Sequence, residues 1–327
     1  MSRTAVVTGA GGFIGSHLVE HLLEASWRVR ALIHYHSTPS WGWLEGIRAR
    51  RSPELEVVRG DITDPAQMRD LLADRDVVFH LAALISVPYS LQAPRTYFET
   101  NVMGTVNLAE AARENGTRRL VLMSSSEVYG SALRVPIDET HVLQAQSPYA
   151  ASKIAAEKVI ESYVRAFGLS AVTVRAFNTF GPRQSARAIV PTIVAQALER
   201  ETIELGATYP IRDLTYVEDT VAGLVAAAEA GAGAVGRTVN LGRGEGISVG
   251  DLAELVCQLL GRACNLRTER QRVRPESSEV DRLVSDNSLA SEVLGWRPRV
   301  PLREGLLKTI DWIRSNRGSF PTLEYQV

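Results

Sequence analysis

The chain has 327 residues, 45% of them hydrophobic, with 36 basic and 37 acidic side chains and a formal net charge of -1. That length suffices for one large α/β unit with a smaller lobe, and the even charge balance gives no reason to expect nucleic acid or an anionic membrane surface as a partner. No apolar run approaches the roughly 20 residues of a bilayer-spanning helix, and Met1-Ser2-Arg3 passes straight into Ala5-Val6-Val7 without the form of a secretory signal, so a cytoplasmic protein is expected.

In chain order, short β-branched runs alternate with amphipathic stretches. The expected strands are 5–8, 29–33, 56–59, 77–80, 119–124 and 171–175, and helix-like segments lie near 15–25, 65–73, 95–114 and 149–167. Strands alternating with helices require right-handed crossovers, which predicts an α/β fold with a doubly wound parallel sheet covered on both faces. After residue 176 the rhythm changes. Gly181-Pro182 and Pro191 punctuate a loop and a helix, an alanine-rich helix over 222–234 ends in glycines, a strand is expected at 238–241, and another helix starts near Val249. The expected division is a dinucleotide-binding domain over 1–177, with part of 214–241 returning to it, and a smaller C-terminal lobe over 178–327. Cys257 and Cys264, seven apart with no histidine pair nearby, read as small buried residues rather than a disulfide, and no metal site is expected.

The run Val6-Val7-Thr8-Gly9-Ala10-Gly11-Gly12-Phe13-Ile14-Gly15 places glycines at 9, 12 and 15 between the first strand and the first helix. A dinucleotide loop needs this spacing: it turns tightly, lets backbone amides approach a pyrophosphate and packs the helix on the sheet. At the end of the second strand, where an NAD site usually presents a carboxylate to the ribose, the sequence reads Ile33-His34-Tyr35-His36. No arginine follows to favour a 2′-phosphate, and the glycine loop carries no basic residue. NAD is therefore expected and NADP stays open.

Tyr149-Ala150-Ala151-Ser152-Lys153 puts a phenol and an ammonium one helical turn apart. A nearby cation favours phenolate, so Tyr149 is expected to act as a base near neutral pH. Ser124-Ser125-Ser126-Glu127-Val128-Tyr129-Gly130 follows an earlier strand, where a parallel sheet delivers side chains to the cofactor crevice. His80-Leu81-Ala82-Ala83 closes the strand before it, and Asn101-Val102-Met103-Gly104-Thr105 lies on the next helix.

This combination resembles the extended short-chain dehydrogenase/reductases of Rossmann fold, the NAD-dependent nucleotide-sugar epimerases and dehydratases. The resemblance runs nearly end to end and includes Gly60-Asp61, Arg212-Asp213-Leu214-Thr215-Tyr216-Val217-Glu218-Asp219 and Leu294-Gly295-Trp296-Arg297-Pro298. Within the family, Trp41-Gly42-Trp43-Leu44-Glu45, the stretch from Ala83 to Ser90, Val135-Pro136-Ile137-Asp138-Glu139, Gln146-Ser147-Pro148-Tyr149 and the stretch from Gly181 to Arg187 resemble the 4,6-dehydratases of legionaminic acid biosynthesis.

The resemblance implies that Gly9, Gly12, Phe13, Ile14, Gly15, His34, Asp61, Ile62, Leu81, Ala82, Ala83 and Asn101 line the cofactor with Tyr149 and Lys153. It implies that Ser86, Asn178, Arg187, Arg212 and Arg282 line a nucleotide-diphospho-sugar, GDP- or UDP-linked, with Asp213 fixing Arg212. A guanidinium grips phosphate oxygens in a forked geometry, which gives the arginine assignments a physical basis. Tyr149 would take the proton of the 4-hydroxyl as hydride leaves carbon 4, Ser125 would hydrogen-bond the same oxygen, and Glu127 would remove the acidified proton on carbon 5. Water then leaves from carbon 6 and the hydride returns there.

At position 126, immediately before the glutamate, many sugar 4,6-dehydratases carry an acid, whereas this chain has Ser126. Serine there is shared by the legionaminic-type enzymes and by UDP-glucuronate decarboxylases. A 4,6-dehydratase leads, a 4-epimerase or a decarboxylase remains open on the same fold, and the intact Ser125, Tyr149 and Lys153 argue against a non-catalytic regulatory protein. By the same resemblance the helices near 95–114 and 149–167 are expected to pack against their copies in a homodimer.

Overall fold

The structure, a computed structural model, describes residues 3–37, 40–47, 52–269, 272 and 279–316. Its first half runs β1 (Thr4–Thr8), α1 (Phe13–Glu24), β2 (Arg28–His34), a 3₁₀ turn (Gly42–Gly46), β3 (Leu55–Gly60), α2 (Pro65–Leu72), β4 (Val77–His80), α3 (Val87–Gln92), α4 (Pro94–Tyr97), a π-helical segment (Phe98–Met103), α5 (Gly104–Glu114), β5 (Arg119–Ser125), α6 (Pro148–Phe167) and β6 (Ala171–Ala176). The second half runs β7 (Asn178–Phe180), α7 (Ile189–Glu199), β8 (Thr202–Leu205), β9 (Ile211–Tyr216), α8 (Val217–Glu229), β10 (Thr238–Leu241), β11 (Gly246–Ser248), α9 (Val249–Leu260), β12 (Asn265–Thr268), β13 (Arg282–Leu283), α10 (Ser288–Leu294) and α11 (Leu302–Ser315).

Seven parallel strands form the main sheet in the order β10-β6-β5-β4-β1-β2-β3. Every residue of β1, β4 and β6 is buried, Thr173 and Arg175 of β6 included, as expected when helices cover both faces. One face carries α2, α5 and α6 through Met68, Leu71, Leu108, Ala112, Ala156 and Ile160. The other carries α1 and α8 through Leu18, Leu22, Val221, Leu224 and Ala228. β10 enters the sheet from the second half of the chain, with Thr238 opposite Thr173. The doubly wound parallel sheet is as the sequence predicts.

A second, smaller sheet is built on β9, which pairs with β7 and β13 in parallel and with β11 antiparallel. Its strands are two to six residues long and fall below what periodicity detects.

Three expectations need correction. The helix over 95–114 is divided at Phe98–Met103 by the π-helical segment, a form that recurs at functional sites. The helix expected over 222–234 instead runs Val217–Glu229, started by Glu218 and Asp219 in its first turn, and Gly231 and Gly233 lie beyond it. Cys257 and Cys264 are joined by a disulfide with Cα atoms 6.2 Å apart. Gly261, left-handed at the end of α9, turns the chain back toward that helix and brings the two cysteines together.

Candidate active site

The glycine loop forms a cradle between β1 and α1. Gly9 has φ +69°, and a Cβ there would come within 2.9 Å of the Ala82 nitrogen, while a Cβ on Gly15 would meet the Gly9 carbonyl oxygen at 2.2 Å. Gly12 caps α1 with no side chain bonded to the first-turn amides and no acidic residue in that turn, so the amides around Phe13 and Ile14 are open to an anion. Across the cradle, Thr8 Oγ1 accepts from the Leu81 and Ala82 amides, each at 3.1 Å, and lies 2.9 Å from His80 Nδ1. Burial and the nearby Lys153 push His80 down to about 3, so it is a neutral link to Thr105. Leu81 and Ala82 are thereby fixed beside Gly9, with Ala83 next in the chain. These contacts fit a pyrophosphate-bearing dinucleotide.

His34, Asp61 and Ile62 gather at the ends of β2 and β3. His34 is exposed, with Nδ1 3.8 Å from the Asp61 carboxylate, and the Ile62 carbonyl accepts from Asn107 Nδ2 at 3.0 Å. Asn101, in the π-helical segment, clamps the Leu84 backbone from both sides: Oδ1 accepts from the Leu84 amide at 2.8 Å and Nδ2 donates to its carbonyl at 3.0 Å. Nδ2 also donates to Ser152 Oγ at 2.9 Å, and Ser152 donates to the Tyr149 carbonyl at 2.7 Å. Asn101 therefore braces the start of the helix that carries Tyr149 and Lys153.

Tyr149 and Lys153 sit in the first two turns of α6, which begins at Pro148 behind the capping Ser147. Both are buried. Lys153 Nζ donates to the Met123 carbonyl at 2.6 Å, and burial lowers its pKa to about 8 against an opposing pull from Glu157. Burial raises Tyr149 to about 12; its hydrogen bond to Ser125 works the other way and the Glu127 charge adds to the rise. The expected lowering of Tyr149 is not found in the ligand-free protein, because burial outweighs the opposing hydrogen bond to Ser125.

Ser125 ends β5 and its Oγ accepts from the Glu127 amide at 3.2 Å, which turns Ser126–Tyr129 into a 3₁₀ helix. That turn buries Ser126 and leaves Glu127 half-buried with its charge felt by Tyr149. Ser125, Glu127 and Tyr149 thus share one side of the site. Behind them lies a buried chain of polar contacts with no sequence signature: Ser124 donates to Glu157, Arg175 grips Glu157 at 3.0 and 2.7 Å, and Arg175 also donates to the Tyr129 hydroxyl at 2.9 Å.

Among the residues expected at the substrate, Ser86 caps α3 and lends its carbonyl to the Tyr97 hydroxyl. Tyr97, which sequence reasoning missed, is fully buried and meets Tyr149 edge-on at 6.3 Å. The exposed Arg187 lies near enough to favour the Tyr97 phenolate, although burial raises that phenol overall. Asn178 on β7 stands opposite Leu214 of β9, with a buried Oδ1 that has no described partner. Arg282 on β13 is exposed and stands opposite Ile211.

Arg212 Nη2 donates to Glu279 at 3.2 Å and its Nη1 to the Ile211 carbonyl at 3.1 Å, so Asp213 is not what fixes it. Asp213 turns the other way and accepts from the Arg243, Gly244 and Ser285 amides and from Ser285 Oγ at 2.7–3.1 Å. Adjacent residues of a strand face opposite sides, which separates the two roles.

A sequence profile described as GDP-mannose 4,6 dehydratase matches residues 6–309. The chain is 37% identical to a UDP-glucose 4-epimerase of Mycolicibacterium smegmatis over 95% of this chain and 98% of that one. It is 34% identical to a dTDP-glucose 4,6-dehydratase of Streptomyces antibioticus over 98% and 95% of the two chains. The crystal structure of DesIV, the dTDP-glucose 4,6-dehydratase of Streptomyces venezuelae with NAD and TYD bound, superposes with a TM-score of 0.89 at 30% identity, covering 98% of this chain and all of that one.

Proposed function

The chain belongs to the GDP-mannose 4,6-dehydratase family, whose members are NAD-dependent nucleotide-sugar dehydratases and epimerases, and from that premise we propose that it is a nucleotide-sugar 4,6-dehydratase. The observation that carries this reading is the half-buried Glu127, whose charge reaches Tyr149 and which supplies a carboxylate in the same site for a second proton transfer. An epimerase needs none, since it only reduces the rotated keto sugar. A GDP- or UDP-linked amino sugar, as in legionaminic acid biosynthesis, is the substrate class we favour from the matching sequence strings.

NAD would supply the hydride acceptor, and later the hydride donor, for the sugar, and its positive nicotinamide ring would favour the phenolate. Gly9, Gly12, Phe13, Ile14 and Gly15 would hold its pyrophosphate, His34, Asp61 and Ile62 its adenosine, and Leu81, Ala82, Ala83, Asn101 and Lys153 its nicotinamide half. Tyr149 removes the proton of the 4-hydroxyl while Ser125 holds that oxygen. Glu127 then takes the proton of carbon 5. Ser126 is buried and carries no acid, so Glu127 also passes that proton to the departing 6-hydroxyl, and once reprotonated from solvent it returns a proton to carbon 5 as hydride adds at carbon 6. Asn178, Arg187, Arg212 and Arg282 bind the diphosphate and nucleotide. We assign residues 1–177, with α8 and β10, to the dinucleotide and the remainder of 178–327 mainly to the nucleotide sugar. The exposed Phe98, Met103 and Phe167 on the helices expected at a dimer contact support a homodimer.

Incubation with GDP- and UDP-sugars and mass spectrometry of the products tests the reading. Loss of water is expected, whereas loss of carbon dioxide, or unchanged mass with carbon 4 inverted, excludes the dehydratase. Glu127→Gln is expected to oxidise carbon 4 while no longer exchanging the carbon 5 proton in deuterated water.

A further inference from the structure

Two glycines from separate segments interlock at the glycine loop. Gly42 has φ +62°, and a Cβ there would come within 2.4 Å of the Gly11 carbonyl oxygen; a Cβ on Gly11 would come within 2.8 Å of the Trp41 carbonyl. The Trp43 amide donates to the same Gly11 carbonyl at 3.0 Å. Glu45 accepts from the Trp41 amide at 2.8 Å, which braces the turn, and Leu44 and Ile47 anchor it in the core. Gly11 also lies against Ile33 near the end of β2. The 41–46 turn therefore closes over the gap between the glycine loop and β2, where the adenosine ribose lies in a doubly wound sheet.

The turn is pinned from the far end of the chain. The rings of Trp43 and Trp312 meet edge-on with centroids 5.3 Å apart. Trp312 belongs to α11, which buries Leu306, Ile310 and Ile313 and packs on α7 and β9 of the second half. A parallel tie runs from Arg183 to Glu20 of α1 at 2.7 Å, with His17 of α1 3.0 Å from the Pro182 carbonyl.

We propose that Trp43 and Trp312 form a clasp that keeps the 41–46 turn over the adenosine end of the dinucleotide and sets how long NAD stays bound. This rests on the NAD-dependent reading above. It gives a reason for the absence of a carboxylate after Ile33: enclosure by the turn takes over part of the hold that a ribose-binding carboxylate provides elsewhere.

The test is NAD binding by the full chain after co-purified nucleotide is stripped, measured by calorimetry, with release followed by stopped flow. Trp43→Ala and Trp312→Ala are expected to weaken NAD about fivefold, through faster release, the factor typical of losing one edge-to-face aromatic contact. Trp312→Phe keeps a ring and is expected to restore most of that loss, while circular dichroism and the ligand-free unfolding midpoint follow the fold. Alanine variants that bind and release NAD as the wild type does overturn the clasp, as does equal weakening in Trp312→Ala and Trp312→Phe. A wild-type chain that binds no NAD overturns the cofactor reading itself, and the clasp with it.

Discussion

Lys153 Nζ donates to the backbone carbonyl of Met123 at 2.6 Å, and from there it braces the end of β5 rather than the phenol of Tyr149 one turn earlier. The helix thus hands its cation to the strand that presents Ser125, and the two halves of the Tyr149–Lys153 motif act on different neighbours. Burial dominates both groups in the ligand-free protein: it holds Tyr149 protonated and weakens the proton's grip on Lys153.

The charge of Lys153 is lost as pH rises through about 8. If the charged form holds the strand end and the nicotinamide ribose, kcat/KM falls above that pH, since it reports the free enzyme. Lys153→Arg, which stays charged, is expected to lower the rate and move the basic limb to higher pH. A wild-type profile flat across that range would remove the ammonium from the reaction.

Stability responds in the opposite sense. The folded pKa of about 8 lies below the ordinary 10.5, so the folded chain binds fewer protons than the unfolded chain between those values. The penalty for the buried cation is present in full below about pH 8 and fades as pH rises toward 10.5. Lys153→Met should therefore abolish activity and raise the thermal midpoint at pH 7. A lower midpoint would mean that the bond to Met123 outweighs the cost of burial.

Asp213 joins β9 to the loop after β10 and to the segment after β13 through four accepted hydrogen bonds. Asp213→Ala leaves buried donors without partners and is expected to cost about 3–5 kcal/mol in chemical denaturation. Asp213→Asn keeps one acceptor oxygen and should cost less. Equal loss in the two variants would argue against the hydrogen bonds as the cause.

The Cys257–Cys264 bond predicts that neither thiol is alkylated in the unreduced protein and that both are after reduction, read by intact mass. Reduction is expected to lower the unfolding midpoint modestly, because the closed loop is short.

The glycine loop, Tyr149, Lys153 and the main sheet were legible because each depends on neighbours in sequence. Glycines 9 and 15 are required by one turn, with Gly12 close against it, and β1 and β4 read as apolar runs because both faces are covered. Tyr97 carried no signal, since its place against Tyr149 depends on the π-helical segment redirecting one helix against another. The pairing of Arg212 with Glu279, and of Asp213 with Ser285, joins residues about 70 positions apart that only the small sheet brings together.

By itself, the sequence determined the parallel sheet, the glycine turn between β1 and α1 and the placing of Tyr149 and Lys153 one helical turn apart, because backbone turns and helix periodicity are local. The tertiary structure decided which partner each charged group takes: Met123 for Lys153, Glu279 for Arg212, and the Gly11 backbone beneath a turn pinned by Trp312. Those choices follow from burial and from long-range packing, which set the strength of every charge and contact, and no spacing of residues along the chain encodes them.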